Sequence, residues 1–235
     1  MARLCFDYGH GGNDPGAVYK GRKEADDVLS LGRAVAAVLR RHGVIIDETR
    51  AADVSVSLKA RCDFENMGSF DYFISFHRNA FKPETAAGVE TYTYLNPGAK
   101  SKGLAEKIQS SLVGVGFANR GVKTANYQVL RETRAPAVLI EIGFIDNSQD
   151  NALFDGKRDE IVKAVSGAIL SQLGLAYIEE GKNGLEGALE VLVRNGLLKS
   201  PEYWLQNALA GKTIKGEYAR LLIERMAEYI SSQQH

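Results

Sequence analysis

Ala137-Val138-Leu139-Ile140 is an unbroken apolar run that ends on an acid, Glu141. A run of this kind, short and apolar on both sides of the chain, reads as a strand covered on both faces. Tyr72-Phe73-Ile74-Ser75-Phe76 reads the same way, and Arg3 to Tyr8, Val44 to Asp47 and Val89 to Tyr94 are further strand candidates. Helical patterns separate them. Val28, Gly32, Val35, Ala36 and Leu39 form an apolar stripe at helical spacing, closed by a cation and a glycine, His42 and Gly43. Leu58 to Asn66, the trio Leu104, Ile108 and Leu112, and Ile161 to Leu173 mark three more helices. Strands alternating with helices over residues 2–175 predict an α/β domain: a mixed, mainly parallel twisted sheet flanked by helices.

The alternation stops near Tyr177. Glu179-Glu180-Gly181-Lys182-Asn183-Gly184 is polar and glycine-containing, which predicts a linker over 177–184 between a domain at 1–176 and a small all-α domain at 185–235. Leu185, Ala188, Leu189, Leu192 and Val193 give its first helix an apolar face. Ser200 before Pro201 predicts the start of the second, with serine capping free amides and proline having none to lose. Trp204, Leu205, Ala208 and Leu209 line that helix, and Ile214, Tyr218, Leu221, Leu222, Met226, Tyr229 and Ile230 line the third. A unit of about 50 residues is marginal alone, so it is expected to pack on the first domain, on a second copy of itself, or on a ligand. Tyr203, Trp204, Tyr218 and Tyr229 are aromatic residues at helical spacing, which usually form core.

The 235 residues carry 29 basic and 29 acidic side chains, a balance that lacks the basic excess of a nucleic-acid binder. No apolar run approaches the roughly 20 residues of a membrane span, and the first residues lack the pattern of a signal peptide. Cys5 and Cys62 form neither a disulfide framework nor a cysteine-based zinc site, and are expected to be reduced and buried.

Of the four histidines, His235 is terminal and His42 has a sufficient role at a helix end. His10 follows the first strand, His77 follows Phe76, and Glu141 follows Ile140. Open α/β sheets bind ligands at the carboxyl ends of their strands, so these three nominate a site. A carboxylate after four apolar residues is costly to bury unpaired. A cation or a shared proton would compensate it, and two histidines with a carboxylate can equally form an acid–base set without metal. Glu24, taken alone, sits in the first turn of a helix, where the usual explanation of an acid is the helix dipole.

The segment Asp7-Tyr8-Gly9-His10-Gly11-Gly12-Asn13-Asp14-Pro15-Gly16-Ala17 resembles the first zinc motif of the type-3 N-acetylmuramoyl-L-alanine amidases. Ser75-Phe76-His77-Arg78-Asn79-Ala80 resembles their second histidine motif, and Pro136 to Asn147 their catalytic glutamate motif. Arg120-Gly121-Val122-Lys123 and Val129-Leu130-Arg131 also look like family segments. The resemblance implies that His10, Glu24 and His77 bind Zn²⁺ and that Glu141 is the catalytic carboxylate. Arg78 and Asn79 line the second motif, where they are expected either to touch substrate or to make loop hydrogen bonds. The implied substrate is peptidoglycan, cut at the amide between N-acetylmuramic acid and L-alanine. Tyr8 stands where the family usually has proline, and Ala25-Asp26-Asp27 follow Glu24 where a lysine is more usual.

A catalytic domain plus a small extra domain also resembles a phage endolysin, made in the cytoplasm without a signal peptide and acting on the wall after release. Membrane insertion is not expected. The last helices are expected to bind the wall, where Tyr203, Trp204, Tyr218 and Tyr229 can stack on sugars, to form a homodimer, or to pack on the catalytic domain. The competing readings are a zinc peptidase acting within the stem peptide and a non-catalytic wall-binding protein.

Overall fold

A computed structural model describes residues 1–178 and 185–232. The polar stretch 179–184 and His235 lie outside the described residues. The chain divides into two compact units, Met1–Tyr177 and Ile178–His235.

The first unit runs β1 (Arg3–Tyr8), β2 (Val18–Tyr19), β3 (Arg22–Lys23), α1 (Glu24–Arg41), β4 (Ile45–Glu48) and α2 (Leu58–Met67). It continues with β5 (Tyr72–Asn79), β6 (Val89–Thr93), α3 (Ala99–Val115), β7 (Asn119–Thr124) and α4 (Gln128–Arg131). It closes with β8 (Ala137–Phe144), α5 (Ser148–Gly156) and α6 (Arg158–Gln172). Six strands form one sheet in the order β4-β1-β5-β8-β6-β7, and β2 and β3 pair separately. All neighbours in the large sheet are parallel except β6 and β8. The sheet is therefore mixed and mainly parallel.

Alternation along the strands divides the core in two. Leu4, Phe6 and Tyr8 of β1, Tyr72, Ile74 and Phe76 of β5, and Val138, Ile140 and Ile142 of β8 face one side. There they meet the stripe of α1 (Val28, Leu31, Val35, Leu39), that of α3 (Leu104, Ile108, Leu112) and that of α6 (Ile161, Val165, Ile169). Tyr8 belongs to this core: its ring packs near Phe6 and Phe76, and its hydroxyl donates to Glu48 Oε1 at 2.7 Å. The other face has a thinner cover, in which Cys5, Phe73, Ala137 and Leu139 pack with Cys62 of α2 and with Val129 and Leu130 of α4. Both cysteines are free and buried. The thin cover leaves the far ends of these strands open for chemistry.

Several boundaries moved. β5 and β8 reach Asn79 and Phe144, so His77 and Glu141 lie inside strands rather than just beyond them. β7 has only Val122 as an aliphatic residue and is an edge strand, which hides it from a hydrophobic pattern. β2 and β3 have two residues each, too few for any periodicity.

The second unit holds α7 (Leu185–Arg194), α8 (Pro201–Asn207) and α9 (Gly216–Ser232). Proline sits at the start of α8 as expected, but the Ser200 side chain makes no capping hydrogen bond, because its backbone (φ −132°, ψ 73°) departs from the extended capping conformation. Tyr203 makes edge contacts with Trp204 and Tyr218, at ring-centroid distances of 6.3 and 4.8 Å. Among the described residues no helix is long and apolar enough to cross a membrane.

Candidate metal centre

On the thinly covered face, each strand exchanges apolar for polar residues as it runs toward its carboxyl end. β1 continues from Cys5 to Asp7, β5 from Phe73 through Ser75 to His77, and β8 from Ala137 through Leu139 to Glu141. The period of two keeps all of them on this face. His77 and Glu141 are register partners on adjacent strands, and Glu141 in turn faces Glu90 of β6.

His10 follows β1 in a left-handed conformation, φ 60°. Such a backbone is uncommon for a residue other than glycine and persists only where its surroundings hold it. Arg61 donates to the carbonyls of Tyr8 and His10 at 2.6 and 2.7 Å, and is itself anchored by Asp7 at 2.6 Å. Arg50 donates to the carbonyls of Tyr8 and Gly9 at 2.8 and 2.9 Å. At Gly9 a Cβ would stand 2.2 Å from the His77 ring, so only glycine lets the backbone pass this close to the imidazole.

Glu24 begins α1 but turns inward and is buried. Its Oε2 accepts from Ala17 N and its Oε1 from Arg78 N, both at 3.0 Å. The same two oxygens lie 3.2 Å from His10 Nε2 and 2.9 Å from His77 Nδ1. One ligand atom from each of His10, Glu24 and His77 falls within 4.8 Å of the others. Glu24 is thus more than a first-turn acid beside a helix dipole.

Burial alone would raise the Glu24 carboxyl, yet hydrogen bonds to His10 and His77 hold it far below the usual carboxylate range. Burial alone would lower the His10 imidazole; hydrogen bonds to Glu24 and Asp14 overrule that and lift it to about 9. His77 is raised as well: burial opposes the shift, and Glu24 and Glu141 drive it. The pocket therefore attracts positive charge. A divalent cation among these donors would take the place of protons on the imidazoles.

Glu141 faces the opposite condition. Burial pushes its carboxyl up to about 7, against the lowering pull of His77 and with the repulsion of Glu24 and Glu90. Its Oε2 is buried without a hydrogen-bond partner among the described residues. A buried acceptor in that state is waiting for a proton donor. A cavity of about 710 Å³ opens over His10, His77 and Glu141, with Ser57, Leu139 and Tyr127 among its walls.

The sequence profile of the N-acetylmuramoyl-L-alanine amidases matches residues 4–171. The chain belongs to this family. It is 39% identical over 153 residues to the sporulation-specific N-acetylmuramoyl-L-alanine amidase of Bacillus subtilis strain 168, covering 64% of this chain and 59% of that one. It is 38% identical over 174 residues to the endolysin of Bacillus phage SPP1, covering 71% and 63%. The crystal structure of the N-acetylmuramoyl-L-alanine amidase from Clostridium difficile 630 superposes with a TM-score of 0.70 at 33% identity, covering 74% of this chain and 97% of that one. The chain thus spans about 59–63% of the length of these two curated relatives.

Within this amidase-family unit, one expected contact fails. Arg78 follows His77 in β5 and so points through the sheet to the opposite face. Its side chain is 0% exposed. It donates to Asp27 and Asn151 at 2.6 and 2.7 Å and lies 4.1 Å from the centroid of the Phe154 ring. It holds α1 and α5 together and cannot touch a ligand in the cavity. Asp27 takes that bond and another from Arg22 at 2.6 Å. Asn79, two residues beyond His77, donates to Glu90 Oε1 at 3.1 Å and lines a second cleft.

Two neighbours of the centre escaped the sequence. Asp14 Oδ2 lies 2.8 Å from His10 Nδ1 and fixes the ring so that Nε2 faces Glu24. An acid four residues after a histidine in a glycine-rich turn is the signal that was there. Tyr127 lines the cavity from the turn before α4, its hydroxyl raised first by burial and then by the charge of Glu141.

Proposed function

We propose that this protein is a zinc-dependent N-acetylmuramoyl-L-alanine amidase, which hydrolyses the amide between the lactyl group of N-acetylmuramic acid and L-alanine of the stem peptide. One observation carries this reading: His10, Glu24 and His77 converge beside a buried, unpartnered carboxylate oxygen, in a chain that belongs to this family. Two imidazoles and one carboxylate fit a catalytic zinc, a donor set that leaves a coordination position free. Zinc held by these three residues supplies Lewis acidity to the scissile carbonyl and to the attacking water.

The remaining steps belong to the protein. Glu141 takes the proton of the attacking water at Oε2 and returns it to the departing alanine nitrogen. A carboxyl poised at about 7 suits both transfers near neutral pH. Asp14 keeps the His10 ring oriented, and the Arg61 and Arg50 clamps keep the His10 loop in place.

The second unit is proposed to hold the enzyme on the wall, giving a lytic, endolysin-like arrangement of a catalytic unit followed by a binding one. Its support is a cleft of about 320 Å³ lined by Tyr203, Trp204 and Tyr218, whose rings can stack on sugars.

Digestion of purified peptidoglycan by the zinc-loaded protein tests the whole reading by mass spectrometry. The expected products are stem peptides with free L-alanine amino termini and intact glycan strands. Cleavage inside the stem peptide would make it a peptidase. Pelleting of Trp204→Ala with wall material, compared with wild type, tests the second unit, and undiminished pelleting would reject its binding role.

A further inference from the structure

A second cleft, of about 390 Å³, lies on the same sheet face, on the far side of Glu141 from the His10 loop. Its floor is Glu90, which is 2% exposed and is the register partner of Glu141 across β6 and β8. Directly opposed residues of an antiparallel pair carry their side chains on one face, about 5 Å apart. Tyr92, two residues on, shares that face, and its ring meets the Tyr127 ring at 5.4 Å. The pair forms the wall between this cleft and the cavity over the metal ligands.

Two cations reach into the cleft from the edge strand, and a bulge brings them there. Val89 pairs with Asn119 but Thr91 with Val122, so two steps along β6 correspond to three along β7. Gly121, at φ 86°, takes up the extra residue. Without it, Arg120 and Lys123, three apart, would point to opposite faces. With it both turn to the face of Glu90, as bulges commonly re-aim a side chain. Arg120 Nε donates to Glu90 Oε1 at 2.5 Å, Lys123 Nζ donates to Glu90 Oε2, and the Tyr92 hydroxyl and the Asn79 amide also donate to this carboxylate.

Neutralising Glu90 needs one cation, and the cleft holds two. The Arg120 and Lys123 side chains remain 36% and 39% exposed. The terminal Arg120 nitrogens have no partner among the described residues, and the guanidinium is steadied 4.9 Å from the Phe144 ring centroid. The lining of this cleft thus carries one more cation than anion, and the next carboxylate, Glu141, lines the neighbouring cavity one strand away.

We propose that this cleft is an anion subsite that takes a free carboxylate of the leaving peptide, Arg120 and Lys123 supplying the charge-assisted hydrogen bonds. The proposal rests on the amidase reading, in which the departing side of the amide bond is a peptide whose second residue is acidic. It makes the enzyme selective: a stem peptide whose glutamate carboxylate is free binds here, and one whose carboxylate is a carboxamide loses the charge.

The test is NMR titration of the zinc-loaded full chain with two dipeptide probes, L-alanyl-D-glutamate capped at its γ-carboxyl as the methylamide, and the same compound with the α-carboxylate converted to carboxamide. Charge-assisted hydrogen bonds predict that wild type binds the first about tenfold more tightly. Lys123→Gln and Arg120→Gln, made separately so that Glu90 keeps one cation, are each expected to cut that ratio to about threefold or less. Lys123→Arg should retain it. Equal affinity of wild type for both probes, or an unchanged ratio in both glutamine variants, would overturn the subsite. Failure of the amidase reading would show separately, as uncut peptidoglycan with the probe ratio unaffected.

Discussion

Glu141→Gln is expected to lower peptidoglycan hydrolysis by about a thousandfold, within the range for loss of a general acid–base group, while the zinc content of the protein stays at the wild-type value. Glutamine keeps the shape of the side chain but can neither accept the proton of the water nor return it to the amine. Stability should move the other way. The carboxyl is raised to about 7, chiefly by burial and with repulsion from Glu24 and Glu90. A carboxyl whose folded pKa exceeds its unfolded one loses stability as pH climbs from its ordinary value through the raised one. The metal-free variant escapes that loss, so its thermal midpoint at pH 7 should equal or exceed that of metal-free wild type. Near-normal hydrolysis by Glu141→Gln would end the proposed role of this residue.

Arg61→Met is expected to destabilise the fold by about 3–5 kcal/mol, the usual consequence of stripping one partner from a buried ion pair. The Arg61 and Asp7 side chains are 4% and 1% exposed. Burial alone would raise the Asp7 carboxyl, but Arg61, Thr49 and Ser75 hold it below its ordinary value. The stabilisation is therefore fully present above about pH 4 and is lost as pH falls through the lowered folded pKa. Urea denaturation at pH 7 and at pH 3 should show a wide gap between wild type and variant at the first and a narrower one at the second. The freed Tyr8 and His10 carbonyls should also loosen the His10 loop and weaken zinc binding. A variant as stable as wild type at pH 7 would show that the clamp is not needed.

The sequence made the sheet legible where strands are apolar on both faces, as in 72–76 and 137–140. It made the site legible where polar residues interrupt those runs at His77 and Glu141. Arg78 shows the limit of reading a motif as a string: its neighbour His77 faces the cavity, so strand alternation alone turns Arg78 to the other side. β7 was visible only as a family-like segment, since an edge strand needs no apolar face. The bulge at Gly121 that gathers Arg120 and Lys123 exists only relative to β6, so no local pattern announces it. Nothing local distinguishes Arg61 from other helical cations, because its partner Asp7 stands 54 positions away. Glu24 was named by resemblance, and the hydrogen bonds from Ala17 N and Arg78 N that turn it inward come from residues outside its own helix.

The central claim is that His10, Glu24 and His77 hold one divalent ion beside Glu141. Its most direct test is elemental analysis after equilibrium dialysis against zinc, for wild type and for His10→Ala, with circular dichroism to verify that both are folded. The account predicts about one tightly held zinc per wild-type chain and almost none in the folded variant, with wall hydrolysis lost together with the metal. Full zinc content in His10→Ala, or undiminished hydrolysis by a wild-type preparation stripped of metal, would contradict it.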